Sequence, residues 1–164
     1  DQTGTAVRLS DFKGKIILVE LIGIPCPACQ AFSGGHKVGG FKGVAPQPDL
    51  ASIEESARKY GRFDLSNERI VKVHVLLYSM SMRAPTPRDA KAWADHFGLD
   101  RSKNEIVLAG LSSMISEETY QMIPGTQLID QEFILRVDST GRSARKHDLY
   151  RVLLPHVRKL LRRS

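Results

Sequence analysis

Ile16-Ile17-Leu18-Val19-Glu20-Leu21-Ile22 is a near-continuous apolar, β-branched run, ended by Gly23 and Pro25 and followed at once by Cys26-Pro27-Ala28-Cys29. A run of this length and composition fits a central strand buried on both faces. Such a strand needs a layer above it and a layer below it. Cys26 and Cys29 are the only cysteines in the 164 residues. A bridge between them closes almost no loop, so it constrains the unfolded chain little. What it can do is open and close. A CxxC set between a strand and a helix is a redox signal.

The rest of the chain alternates strands and helices. Val7–Lys15 reads as a short strand with a turn at Lys13-Gly14. A short helix is expected over 27–33. Gly34, Gly35, Gly39, Gly40 and Gly43, then Pro46 and Pro48, argue against a long helix and predict an irregular loop. This Gly/Pro-rich insertion, about 34–48, reads as a flexible surface segment near the cysteines. It lacks the Lys-Ser/Thr ending of a phosphate-binding loop.

Ser52–Tyr60 reads as a helix capped by Ser52 or Asp49, and Ile70–Ser79 as a second buried strand. Thr86 as N-cap, Pro87 at the first helical position and Asp89 in the first turn start a helix that runs to Phe97 and stops at Gly98. Glu105–Ala109 is a short strand and Glu117–Met122 a short helix. Thr126–Asp130 and Phe133–Asp138 form an edge hairpin closed by Ser139-Thr140-Gly141. A last helix, about Ala144–Arg162, carries the stripe Leu149, Val152, Leu153, Val157, Leu160 and Leu161, with a kink at Pro155. The sum is one α/β domain over residues 1–164, a mixed central sheet with helices on both faces.

Net charge is +6, and the excess gathers in Arg142, Arg145, Lys146, Arg151, Arg158, Lys159, Arg162 and Arg163. No zinc-finger spacing, RNA-binding aromatic signature or helix-turn-helix signal accompanies it. It therefore reads as the solvated face of the terminal helix, with no nucleic-acid partner. No run approaches the roughly 18 apolar residues of a membrane span. The chain starts at Asp1 without Met, which reads as a trimmed domain with its targeting segment or anchor removed.

The chemistry follows from placement. If Cys26 caps the helix, its sulfur faces unpaired N–H groups and the positive end of the dipole, which favours the attacking thiolate. Pro27 suits the first helical position. Cys29 lies one turn on, within reach, and would resolve the mixed disulfide. Glu20 is a carboxylate in an apolar strand and a candidate proton acceptor for Cys29. Ile123-Pro124 precedes a strand, a good setting for a cis bond and for presenting backbone to an extended substrate. Pro25 and Ile24 leave an apolar rim for a protein partner.

At this point the chain resembles the thioredoxin fold, and in detail the TlpA-like branch of thiol–disulfide oxidoreductases that includes the cytochrome c maturation reductases. Four elements carry the likeness: Leu-x-Asp-Phe-Lys-Gly-Lys over 9–15, a strand leading into CxxC, Ile123-Pro124 before a strand, and Leu128-Ile129-Asp130 followed by a hairpin and Gly141. Glu20 falls at the family's buried acid and Pro124 at its cis-proline. The chain differs at Pro25, where Trp is common, at Pro27-Ala28 in place of Gly-Pro, and at Gly125, where Thr is common. The resemblance implies a thioredoxin-like fold with an N-terminal strand extension and exchange with protein thiols and disulfides. Cys26, Cys29, Glu20 and Pro124 would be catalytic, and Pro25, Pro27, Ala28 and Ile123 would contact the partner. It further implies a monomeric reductant in an extracytoplasmic compartment, the bacterial periplasm, recharged by a membrane-linked or thioredoxin-like electron donor.

Other readings fit less well. None of His36, His74, His96, His147 or His156 has the spacing to complete a zinc site with two cysteines. Met80, Met82 and His36 suggest copper, but methionines near strand ends are usually packing. No cofactor or metal is therefore expected. A peroxiredoxin needs Thr or Ser three residues before its cysteine, where this chain has Gly23. A redox-sensing module, binding a partner through 34–48 according to the Cys26–Cys29 state, is the reading from another class.

Overall fold

The computed structural model describes residues 1–140 and 147–163. Five strands form one sheet in the order β3-β2-β1-β4-β5: β1 (Ile16–Gly23), β2 (Ile70–Tyr78), β3 (Glu105–Ala109), β4 (Gly125–Ile129) and β5 (Leu135–Asp138). β1 and β2, and β2 and β3, run parallel; β1 with β4, and β4 with β5, run antiparallel. The apolar run thus becomes the middle strand of a mixed sheet. The hairpin lies at one edge.

Alternation along β1 divides the core. Ile17 and Val19 face Ala90, Trp93 and Ala94 of α4 (Pro87–Phe97). Ile16 and Leu18 face Ile53 of α3 (Ile53–Ser56) and Leu154, Val157 and Leu160 of α6 (Leu154–Leu161). Each fully buried aliphatic side chain contributes about 1.5–3 kcal/mol. Both faces of β1 are therefore committed. α1 (Pro27–Phe32) follows directly from the end of β1. α4 keeps its expected ends: Thr86 and Asp89 cap it reciprocally, and Gly98 closes it at φ +68.

Three expectations are corrected. No strand forms over Val7–Lys15. Leu9–Phe12 is a 3₁₀ turn in which Asp11 accepts from the Arg8 N–H, and Leu9 and Phe12, three apart, lie together on the core. At the β3 edge, the Gln2 side-chain amide donates to Glu105 O at 2.7 Å and accepts from Val107 N at 2.9 Å. One side chain thereby takes two backbone bonds that a strand would otherwise make.

Segment 34–48 is held down. It contains α2 (Gly35–Val38) and a 3₁₀ turn at Phe41–Gly43. Phe41 is buried and meets the Trp93 ring edge-on at 5.5 Å. Gln30, wholly buried, accepts from Phe41 N and donates to Ile24 O. His96 meets Gly39 O at 2.9 Å and Lys42 pairs with Asp89 at 3.0 Å. A buried ring and a bridging amide fix the backbone despite its glycines.

The described part of the terminal helix begins at Leu149, with Asp148 accepting from Tyr150 N and Arg151 N. Leu149–Leu153 is a wide π turn, with Leu154 N donating to Leu149 O. This wide turn, placed just ahead of Pro155, is the form the adjustment takes, since Pro lacks an N–H and its ring crowds the preceding turn. Val152 of the expected stripe is exposed. Gly141, Arg142, Ala144, Arg145 and Lys146 lie outside the described residues.

Candidate active site

Cys26 ends the loop after β1 in an extended conformation (φ −85, ψ 113) and is the N-cap of α1, with Pro27 at its start. Its Sγ accepts a hydrogen bond from the Cys29 N–H at 3.2 Å. That bond strengthens when the sulfur is negative. Cys26 is half-buried, whereas Cys29 is buried, and the two are unbridged. Burial pushes the Cys29 thiol well above its ordinary value. The Cys26 sulfur and Glu20 push the same way, against the Gly23 amide. One sulfur faces outward and the other is held as a thiol beneath it.

Glu20 is 5% exposed, on the β1 face that carries Ile16 and Leu18. It stands between His74 of β2 and Thr126 of β4 in the ladder. His74 Nδ1 lies 3.2 Å from Glu20 Oε2. Glu20 Oε1 has no hydrogen-bond partner among the described residues. Glu20, Cys29, Pro124 and Thr126 line one small cavity of about 10 Å³, which is room for about one water molecule.

The Ile123-Pro124 peptide bond is cis. Gly125 follows because nothing larger fits: a Cβ there would stand 2.4 Å from Met122 O and 2.8 Å from Thr140 Cα. This is the physical reason for Gly where the resemblance favours Thr. A second cavity of about 240 Å³ is lined by Cys26 together with Pro25, Pro27, Tyr78 and Ile123, among others.

Seven of the eight expected site residues therefore gather around the sulfurs: Glu20, Pro25, Cys26, Pro27, Cys29, Ile123 and Pro124. Ala28 is buried in α1 and lines neither cavity. Met80 and Met82 are 40% and 46% exposed, so the expectation that they are packing is corrected. His74 and Gln30 entered the sequence reading only as a rejected zinc ligand and not at all, respectively. Both carried a signal: Gln30 is the one polar residue among Ala28, Cys29, Ala31 and Phe32, and His74 shares a largely apolar strand with Lys72 alone. Among the described residues, no helix is long and apolar enough to cross a membrane.

No protein-family model and no curated protein sequence matches the chain. Solved structures do. A thioredoxin-like superfamily protein is 19% identical, covering 100% of this chain and 91% of its own, with a TM-score of 0.53. A thiol-disulfide isomerase from Corynebacterium glutamicum is 18% identical, covering 98% and 89%, at a TM-score of 0.50. MTB dsbF, in mixed oxidized and reduced forms, is 10% identical over 98% and 90%, at 0.52. At such identities the shared property is architecture: with its mixed five-stranded sheet between helices, the chain has the thioredoxin-like fold.

Proposed function

We propose that the protein catalyses thiol–disulfide exchange with protein partners. The observation that carries this is the inequality of the two sulfurs. Cys26 is accessible and accepts an amide hydrogen bond, while Cys29 is buried and kept protonated. The Cys26 thiolate attacks one sulfur of a partner disulfide. A Cys26–partner S–S bond forms, the partner's own S–S bond breaks, and the departing sulfur leaves as thiolate and takes a proton from solvent. Cys29 then gives its proton to Glu20, through one water in the cavity they share, and attacks Cys26 Sγ. The mixed disulfide breaks and the second partner sulfur leaves as thiolate, to be protonated in turn. The partner has gained two electrons and the protein has become the Cys26–Cys29 disulfide.

Pro25, Pro27 and Ile123 form the apolar rim against which the partner rests, and the Ile123-Pro124 turn lies beside both sulfurs. His74 positions Glu20. The direction, reduction of the partner, rests on the resemblance to the TlpA-like branch. So do an extracytoplasmic setting, recharging by a membrane-linked or thioredoxin-like donor, and a monomeric state.

Two measurements test the reading. Cys26→Ser abolishes reduction of insulin, and Cys29→Ser traps the mixed disulfide; full activity of Cys26→Ser ends the proposal. The Cys26–Cys29 reduction potential tests direction. A value near thioredoxin's, about −270 mV, supports a reductant, and one near the −120 mV of strong oxidants such as DsbA overturns that part.

A further inference from the structure

We propose that the face formed by α6 and the helical turn at Ala57–Gly61 docks on an anionic phospholipid surface, with Cys26 held clear of it. Arg58 and Lys59 lie on the turn, and Arg158, Lys159, Arg162 and Arg163 lie on and just after α6. The two elements pack together through Ala57, Leu154 and Val157 in the core beneath. Among the described residues, none of these six cations is in an ion pair. A hollow of about 340 Å³ between the elements is lined by Tyr60, Gly61, Pro155 and the four cations of α6 and its end, with no carboxylate among its walls. The same field reaches inward. Burial, then Lys159, Arg163 and Arg136, hold His156 below its ordinary value, against the opposing pull of Asp130. Cations gathered without partners repel one another, and a surface dense in phosphate relieves that repulsion.

The aromatic residue at this face favours a bilayer over a nucleic acid. Tyr60 is 44% exposed amid the cations, and exposed Pro155 stands with it at the hollow. A phenol, with its apolar body and polar tip, suits the headgroup level of a membrane. The ring is not an open platform for a base, because Tyr150 stands against it at 4.8 Å and Lys59 lies over it at 5.1 Å. Position then sets the orientation. Arg69, immediately before β2, donates to Leu161 O and Arg163 O at 2.8 and 3.1 Å. This fixes the end of α6 at the end of the sheet where β2 starts. β1 starts there too, since Ile16 pairs with Ile70. Cys26 follows the other end of β1, with α1 and with α5 (Glu117–Gln121), whose Tyr120 shares a cavity with Cys26. The eight residues of β1 separate the two ends by roughly 25 Å. A bilayer bound at the α6 end therefore leaves Cys26 open to solution.

The test measures co-sedimentation of the reduced protein with large vesicles of phosphatidylcholine, alone or mixed with phosphatidylglycerol. Binding should require phosphatidylglycerol. It should be lost when salt rises from about 0.1 M to about 1 M, which shortens the screening length from about 10 Å to about 3 Å. Each cation near the surface is worth about fivefold in binding. Arg158→Gln/Lys159→Gln/Arg162→Gln should therefore bind about 100-fold more weakly, and Arg58→Gln/Lys59→Gln, on the other element, about 20-fold. Thermal melting followed by circular dichroism checks that each variant is folded, and the double variant decides if the triple one is not. As a control, Lys13→Gln/Arg83→Gln/Arg88→Gln removes three exposed charges elsewhere and should change binding by less than about threefold. Iodoacetamide should alkylate Cys26 as fast on the vesicles as in solution. Absence of binding to the phosphatidylglycerol vesicles, equal binding to both kinds, or equal weakening by the control variant overturns the docking face. Protection of Cys26 on the vesicles overturns the orientation. A DNA duplex that binds as tightly per phosphate as the vesicles overturns the lipid in favour of a nucleic acid. Insulin reduction in solution should be unchanged in these variants, so docking and exchange stand or fall separately.

Discussion

Glu20 and His74 are cross-strand partners in the parallel β1–β2 ladder, with Oε2 and Nδ1 3.2 Å apart and both residues buried. The other carboxylate oxygen has no partner among the described residues, and Glu20 shares a cavity with Cys29. In the proposed exchange, a carboxylate so placed would act on the second half of the reaction. Glu20→Gln should slow release of a preformed Cys26 mixed disulfide about 10²-fold. Single-turnover release measured by quenched flow checks this. An unchanged rate would remove Glu20 as the acceptor.

His74→Phe keeps a ring in the core and takes away the group facing Glu20. The buried carboxyl then loses its nearest polar neighbour on β2. His74 Nδ1 and Nε2 also have no hydrogen-bond partner among the described residues, so the loss of the contact to Glu20 is partly offset and the variant should lose about 1 kcal/mol in urea unfolding. A change below about 0.5 kcal/mol would show that His74 contributes nothing to holding Glu20.

Cys29 yields a pH prediction whose sign follows from its environment. Burial raises its folded value, so the native state keeps a proton that the unfolded chain gives up. The contribution to stability is full below the unfolded value, about 8.5. It is lost as pH rises from there through the raised folded value. The reduced protein should therefore unfold more easily at pH 10 than at pH 7, and Cys29→Ala should decline less over the same interval. Equal declines would assign the effect elsewhere. Under brief iodoacetamide treatment of the native protein at pH 7, alkylation should appear on Cys26 before Cys29.

Gly125→Ala places a methyl against Met122 O and Thr140 Cα, both backbone atoms that cannot swing away. Overpacking of this kind costs about 1–3 kcal/mol. The site should suffer as well, because Gly125 follows Pro124 beside Cys29. Denaturant unfolding and insulin reduction should both decline. Wild-type values in both would mean that the turn gives way easily.

Phe41→Ala empties the contact with Trp93 that pins segment 34–48. It should cost about 3–5 kcal/mol and expose the glycine-rich stretch to limited proteolysis. Cleavage sites mapping to 34–48 in the variant and not in the wild type would bear this out. Resistance in both would mean that Gln30 suffices as an anchor.

Much of the fold was legible because its determinants act over a few residues. The apolar run of β1, the Thr86–Asp89 cap and Gly98 of α4, the succession of strands and helices along the chain and the edge hairpin all came from local pattern. So did Cys26 at a helix start and Pro124 before a strand. The failures were also physical. Leu9 and Phe12 carry an apolar spacing that a 3₁₀ turn satisfies as well as a short strand does. Segment 34–48 reads as mobile because glycine lowers local preference, yet one buried ring and the Gln30 amide outweigh that.

The amino-acid sequence by itself determined the sheet with two covered faces and the placing of Cys26 at a helix start with Cys29 one turn on, because hydrophobic period and capping chemistry are properties of adjacent residues. Tertiary structure alone decided that Glu20 meets His74. It alone decided that Tyr78, Met82 and Tyr120, from three separate segments, enclose one cavity with Cys26. Those contacts depend on strand register and on how distant segments close over one another, which no local pattern carries.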